Sequence, residues 1–184
     1  MNFFGFLSKK NKLKANLVSE IYVNTLDNVI EEGFDEIKDF INNNNNLEGN
    51  ANLTKADIDW FRNIIFLGNI QNLQSYFEEH DSTKLRGMIL DIMYKDLDQN
   101  KQNLAIERFL DYENYFNDLL SENSDVQNAM AYGIFEKYNL NKYQGQLFKR
   151  KNKPNPIFLN ELKGLLKLFL WNWDDYLEKN KIIF

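Results

Sequence analysis

Apolar residues recur at intervals of three and four along nearly the whole chain, the spacing that gathers them on one face of an α-helix. Val23, Leu26, Ile30, Ile37 and Ile41, with Phe34 beside them, form the first stripe. Gly33 lies on it, and its missing side chain predicts close contact with a neighbouring helix. Asn42 to Asn46, continuing through Gly49 and Asn50, breaks the pattern, so residues 42–53 read as a surface loop. Thr54 predicts an N-cap, with Asp57 in the first turn where negative charge suits the helix dipole. Ile58, Phe61, Ile64 and Ile65 follow, and Gly68-Asn69 marks an interruption before Ile70, Leu73 and Phe77. Asp81, Ser82 and Thr83 offer three caps for the stripe Leu85, Met88, Ile89, Ile92 and Met93. The next helix carries Ile106, Phe109, Tyr112, Phe116, Leu119 and Leu120. Ser124 and Gln127 have capping-box spacing ahead of the face Val126, Met130 and Ile134. Residues 139–157, with Gly145, Pro154 and Pro156, read as a second loop. No run alternates as a half-buried strand does. The pattern predicts an all-α fold: one domain over residues 1–184, a bundle of about six helices that are mostly antiparallel neighbours.

The closing segment, LKGLLKLFLWNWDDYLEKN at 162–180, is the most apolar. The 17 positions of 157–173 are interrupted by Asn160, Glu161, Lys163 and Lys167. A bilayer span needs about 20 mostly apolar residues, so a core helix is expected instead. On a helical wheel Leu162, Leu165, Leu166, Phe169, Leu170, Trp173, Tyr176 and Leu177 fall within an arc of about 140°. Lys163, Lys167, Asp174, Asp175 and Glu178 cover the back. Trp171 falls among these charges, with Leu168 about 60° from it. The functional reading makes Trp171 an exposed anchor for a partner, with Leu168 beside it and Lys167, Asp174 and Asp175 as a polar rim. The favoured reading of the indole itself is that another segment, such as the cluster Phe3, Phe4 and Phe6, covers it, because large aromatics are usually well buried.

Charge is distributed unevenly along the chain. Residues 15–138 carry 23 acids against 9 bases, whereas residues 1–14 and 139–156 carry only bases. So acidic a body disfavours broad binding to nucleic acid. Phe3, Phe4, Phe6 and Leu7 precede Lys9, Lys10, Lys12 and Lys14, the reverse of a secretory leader, and no leader is expected. The chain has no Cys, which removes disulfides, thiolate metal sites and cysteine nucleophiles and fits a cytoplasmic setting. The 28 Asn, and 18 Lys against 4 Arg, are read as compositional bias rather than as a functional signal.

Catalytic signatures are missing. His80 is the single histidine, set in Glu78-Glu79-His80-Asp81, and is expected at a helix C-terminus, where its charge suits the dipole. Asp57 and Asp59 point about 200° apart on a helix and do not chelate together. There is no phosphate-binding glycine loop and no nucleophile elbow. No catalytic residue, metal or cofactor is implied. The 139–156 segment mixes Lys149, Arg150, Lys151 and Lys153 with Tyr143 and Phe148, a mixture able to meet an anionic membrane or single-stranded nucleic acid, or simply to be solvated. The expected function is non-catalytic binding of another protein, a basic one, by an acidic helical body. Immunity proteins that neutralise bacterial toxins belong to that class, a likeness that rests on no motif. The alternative is a peripheral adaptor using the basic segments, and a carboxylate-dependent enzyme ranks third.

Overall fold

The first apolar stripe folds into α1, Ala15–Asn42, an unbroken helix of 28 residues. Its buried positions, Val18, Tyr22, Val23, Leu26, Ile30, Phe34, Ile37 and Ile41, keep the three-and-four spacing read from the sequence. The structure, a computed structural model, describes residues 10–123 and 125–184. Past the Asn-rich loop, Thr54 caps a short 3₁₀ turn at Lys55–Asp57 and exchanges a capping box with Asp57. The chain then enters α2, Ile58–Asn72. α3 spans Glu79–Met93, α4 Gln99–Asn123 and α5 Val126–Lys137. α6, Gln146–Lys151, is short; α7 runs Pro156–Leu166 and α8 Trp173–Lys179. Six of these helices have eleven residues or more, and the all-α expectation stands. α5 is central, packed on α2, α4 and α7, while α1 packs on α2 and α3.

Several local expectations are corrected. Gly68-Asn69 does not interrupt α2. Gly68 sits against Met130, whose Sδ would lie 2.5 Å from an added Cβ, so the glycine serves α2–α5 packing. α3 begins at Glu79, ahead of the three expected caps, so His80 lies in its first turn and not at a helix C-terminus. Glu79 and Asp81 supply the negative charge that a helix start favours. α5 is capped by Asp125, whose carboxylate accepts from the Asn128 N–H at 2.7 Å; Ser124 lies outside the described residues. The 139–157 segment is not all loop. It holds a 3₁₀ turn at Leu140–Tyr143 and α6, tied together by the buried Gln144, which donates to Asn141 Oδ1 and the Lys153 carbonyl and accepts from Asn155 N–H.

One feature was not anticipated. Asn11–Lys14 (β1) and Asn180–Ile183 (β2) pair in parallel, with Asn11 opposite Asn180 and Lys14 opposite Ile183. Each strand has four residues, too few to show alternation. The pairing joins segments about 170 residues apart in sequence.

Candidate functional site: an acid-rimmed groove beside the α7–α8 break

The closing segment is not one helix. α7 starts cleanly, with Pro156 in its first turn and Asn155 Oδ1 accepting from Ile157 N–H at 2.9 Å. After Leu166 it tightens into a 3₁₀ turn, Lys167–Phe169, and Leu170 is extended. Asn172 then caps α8, accepting from Asp175 N–H at 3.1 Å. The backbone opened here finds its partners on Asn69 of α2, a wholly buried residue. Its amide donates to the carbonyls of Ile65 at 2.9 Å and Phe169 at 2.8 Å, and its Oδ1 accepts from Trp171 N–H at 2.7 Å. One side chain thus satisfies a carbonyl and an N–H that an unbroken helix would have paired internally.

The break decides where each neighbouring side chain goes. Phe169, 5% exposed, turns in and meets Phe61 edge-to-face at 4.9 Å, and Phe61 in turn lies 5.3 Å from Phe34. Phe169 also lies against Gly33, where an added Cβ would stand 2.6 Å from its Cζ, so glycine is required there. Leu168 turns out and is 70% exposed. Between it and α1 runs a groove of about 250 Å³, floored by Val29, Gly33, Ile37, Leu165 and Phe169, with Leu168 on one lip and Glu32 and Glu36 on the other.

The acidic lip belongs to a strongly negative helix. α1 carries Glu20, Asp27, Glu31, Glu32, Asp35, Glu36 and Asp39 against one base, Lys38. Lys38 is held by Asp35 at 2.7 Å and approaches Asp39 at 3.7 Å. Arg62 of α2 pairs with Asp27 at 3.2 Å, Asp59 at 3.3 Å and Glu31. The hydrogen bond from Lys38 holds the Asp35 carboxyl below its ordinary range, while burial pushes Asp27 up against the pull of Arg62. Both cations are therefore committed elsewhere, and among the described residues neither Glu32 nor Glu36 has a cation within ion-pair reach.

Trp171 is not exposed as a continuous wheel would leave it. It is half-buried, and its indole N–H is sealed without a protein partner. It packs on Tyr22 at 5.2 Å, Tyr176 at 5.4 Å and Trp173 at 5.8 Å. The break rotates it off the charged back, because residues 167–172 do not advance at 100° each. The suggested cover, Phe3, Phe4 and Phe6, lies outside the described residues. Of the expected set only Leu168 lines the groove. Lys167 borders a different, more polar hollow with Tyr76 and Trp171. Asp174 accepts from the Tyr76 hydroxyl at 3.1 Å, and Asp175 accepts from the Asn172 amide at 2.8 Å. The groove residues Glu32, Glu36 and Val29 were missed, although the run of α1 acids was legible.

The alternative basic set is only loosely gathered. Lys149, Arg150 and Lys151 occupy the last turn of α6, where cations suit the dipole. Lys149 Nζ donates to the Lys142 carbonyl at 3.0 Å, and Tyr143 stacks under Lys142. Lys153 is exposed, and Tyr143 and Phe148 are half-buried. Asp57 is engaged in its capping box and Asp59 with Arg62. Among the described residues no group of three or more His, Cys, Asp and Glu is placed to hold a metal ion. No described helix is long and apolar enough to cross a membrane. Compared with models of protein families, curated proteins and solved structures, the chain finds no match.

Proposed function

We propose that the chain is a non-catalytic binding protein for a basic protein partner, of the immunity or inhibitor kind. The groove between α1 and the α7–α8 break carries the reading: an apolar floor, one largely exposed leucine, and two acids with no cation of their own. A partner side chain of Leu or Phe size enters the groove, and flanking Lys or Arg residues meet Glu32 and Glu36. The remaining α1 acids steer the approach, so charge sets the on-rate while the apolar anchor sets the off-rate.

A displayed library of random peptides, selected on the immobilised chain, tests this. Winning sequences are expected to place Lys or Arg around one large apolar residue. Reversing the rim with Glu32→Lys and Glu36→Lys is expected to slow association by about tenfold or more at low salt. Leu168→Ser is expected to speed dissociation. Selection of acidic or uncharged peptides, or affinities that survive both changes, would refute the reading.

A further inference from the structure

The β1–β2 pairing builds a surface that neither chain end makes alone. Residues directly opposite in a parallel ladder share a face, and successive residues alternate. Leu13 and Ile182 point inward and pack on the core. Lys12, Lys14, Lys181 and Ile183 therefore share the outer face, and all four are exposed. Lys12 stands directly opposite Lys181, a like-charge pair that weakens a ladder. Lys10 and Lys179 flank them, and the Lys10 ammonium donates to the Leu177 carbonyl at the end of α8. Among the described residues none of these five lysines has a carboxylate within ion-pair reach, although Glu20 and Glu178 lie on the adjoining helices. At the far end of this face Ile183 is 42% exposed, while Phe184, beyond the strand, packs edge-to-face on Phe77 at 6.2 Å.

Lysines on a short terminal strand commonly guard an open edge. Guarding does not call for an exposed Ile beside them, nor for two lysines placed face to face. We propose that this outer face docks on an anionic lipid bilayer, the lysines meeting headgroups and Ile183 entering the boundary with the acyl chains. A polybasic cluster plus a small apolar anchor is the combination that gives reversible membrane association. An acidic peptide added as a further strand fits less well, because edge pairing would leave the lysines on the face unused.

Sedimentation of the full chain with phosphatidylcholine vesicles, with and without phosphatidylserine, tests the assignment. The chain is expected to pellet only with phosphatidylserine present, and to be released as ionic strength rises. Replacing Lys12, Lys14 and Lys181 together by Gln should weaken partition by about 100-fold, near fivefold per lysine. Ile183→Ser should weaken it with the charge intact. Both changes lie on an exposed face, and unchanged far-ultraviolet circular dichroism confirms that each variant folds. The rim variant Glu32→Lys with Glu36→Lys is expected to keep lipid binding, which separates this surface from the groove. Equal binding to neutral vesicles, retention by the triple variant, or capture by polyglutamate but not by vesicles would overturn the proposal.

Discussion

Asn69→Ala removes the side chain that holds the α7–α8 break to α2. The Phe169 carbonyl loses its donor in a buried setting, and the Trp171 N–H loses its acceptor in a partly buried one. The Ile65 carbonyl keeps its ordinary helical bond within α2 and contributes little. A sealed, unpartnered polar group costs about 1–3 kcal/mol, so the expected loss is about 3 kcal/mol. That is a large part of the roughly 5–15 kcal/mol by which a domain is stable. Equilibrium urea unfolding followed by tryptophan fluorescence measures it, since Trp171 and Trp173 sit in the affected cluster. The midpoint should fall without a change in slope. Asn69→Asp sharpens the test. It keeps the shape but turns an acceptor toward two carbonyl oxygens, which raises the new carboxyl's folded pKa above its unfolded value. The folded variant then holds its proton where the unfolded chain has lost it, so its stability falls as pH rises through the folded pKa. The deficit relative to wild type should therefore shrink on acidification. A loss under about 1 kcal/mol for Asn69→Ala, or a deficit for Asn69→Asp that grows at low pH, would show that Asn69 does not set the break.

Arg86 of α3 grips Glu113 of α4 with two hydrogen bonds, one of them 2.7 Å, and Glu113 is nearly buried. Glu113→Ala is expected to cost about 3 kcal/mol because it strands the guanidinium, while Arg86→Met with Glu113→Leu should recover most of that; urea curves of the two variants decide it, and equal losses would refute the pairing argument. Tyr22 has a wholly buried hydroxyl with no partner, and burial raises its pKa beyond the ordinary phenol range. Tyr22→Phe is therefore expected to stabilise by about 1 kcal/mol in thermal melts, and a loss of that size would mean the hydroxyl is satisfied in solution.

What could be read locally was read well. The Thr54 cap, the α1 stripe and the inward set Leu162, Leu166, Phe169 and Trp173 all follow from spacing and nearest neighbours. The start of α3 and the helix α6 were local misses, but what failed at the site depended on distant groups. Nothing between Leu166 and Asn172 resembles a helix breaker, because the breaker is Asn69, about a hundred residues earlier. Trp171 was misplaced for that reason alone: the wheel was sound up to the point where the helix ceased. One clue was present, since Asn172 followed by Asp174 and Asp175 has the chemistry of a helix start. The groove needed Leu168 to face α1 across the break, so its two lips could not be joined from sequence. The β1–β2 pairing is more remote still, and NKLK and NKII carry no turn signal to suggest it.

The asparagines set aside as compositional bias prove to be much of the fold's punctuation. A chain with 8 Gly and 2 Pro must end its helices by other means. Asn139 and Asn152 take left-handed backbone with φ of 51° and 49°, as does Asn52 at 55°, positions that glycine otherwise fills. Asn155 and Asn172 cap α7 and α8 with their side-chain oxygens. Asn42 bridges the first loop, donating to the Leu53 carbonyl and accepting from its N–H, both at 2.9 Å. Asn69 does the same for the α7–α8 break. A short amide that donates and accepts at once can close a backbone gap from either side, which neither Gly nor Pro can do. Asn abundance here reports how this sequence solves its turns. The charge pattern is the part of the composition that points outward, and the structure sorts it into an acid-lipped groove on α1 and a lysine face where the two chain ends pair.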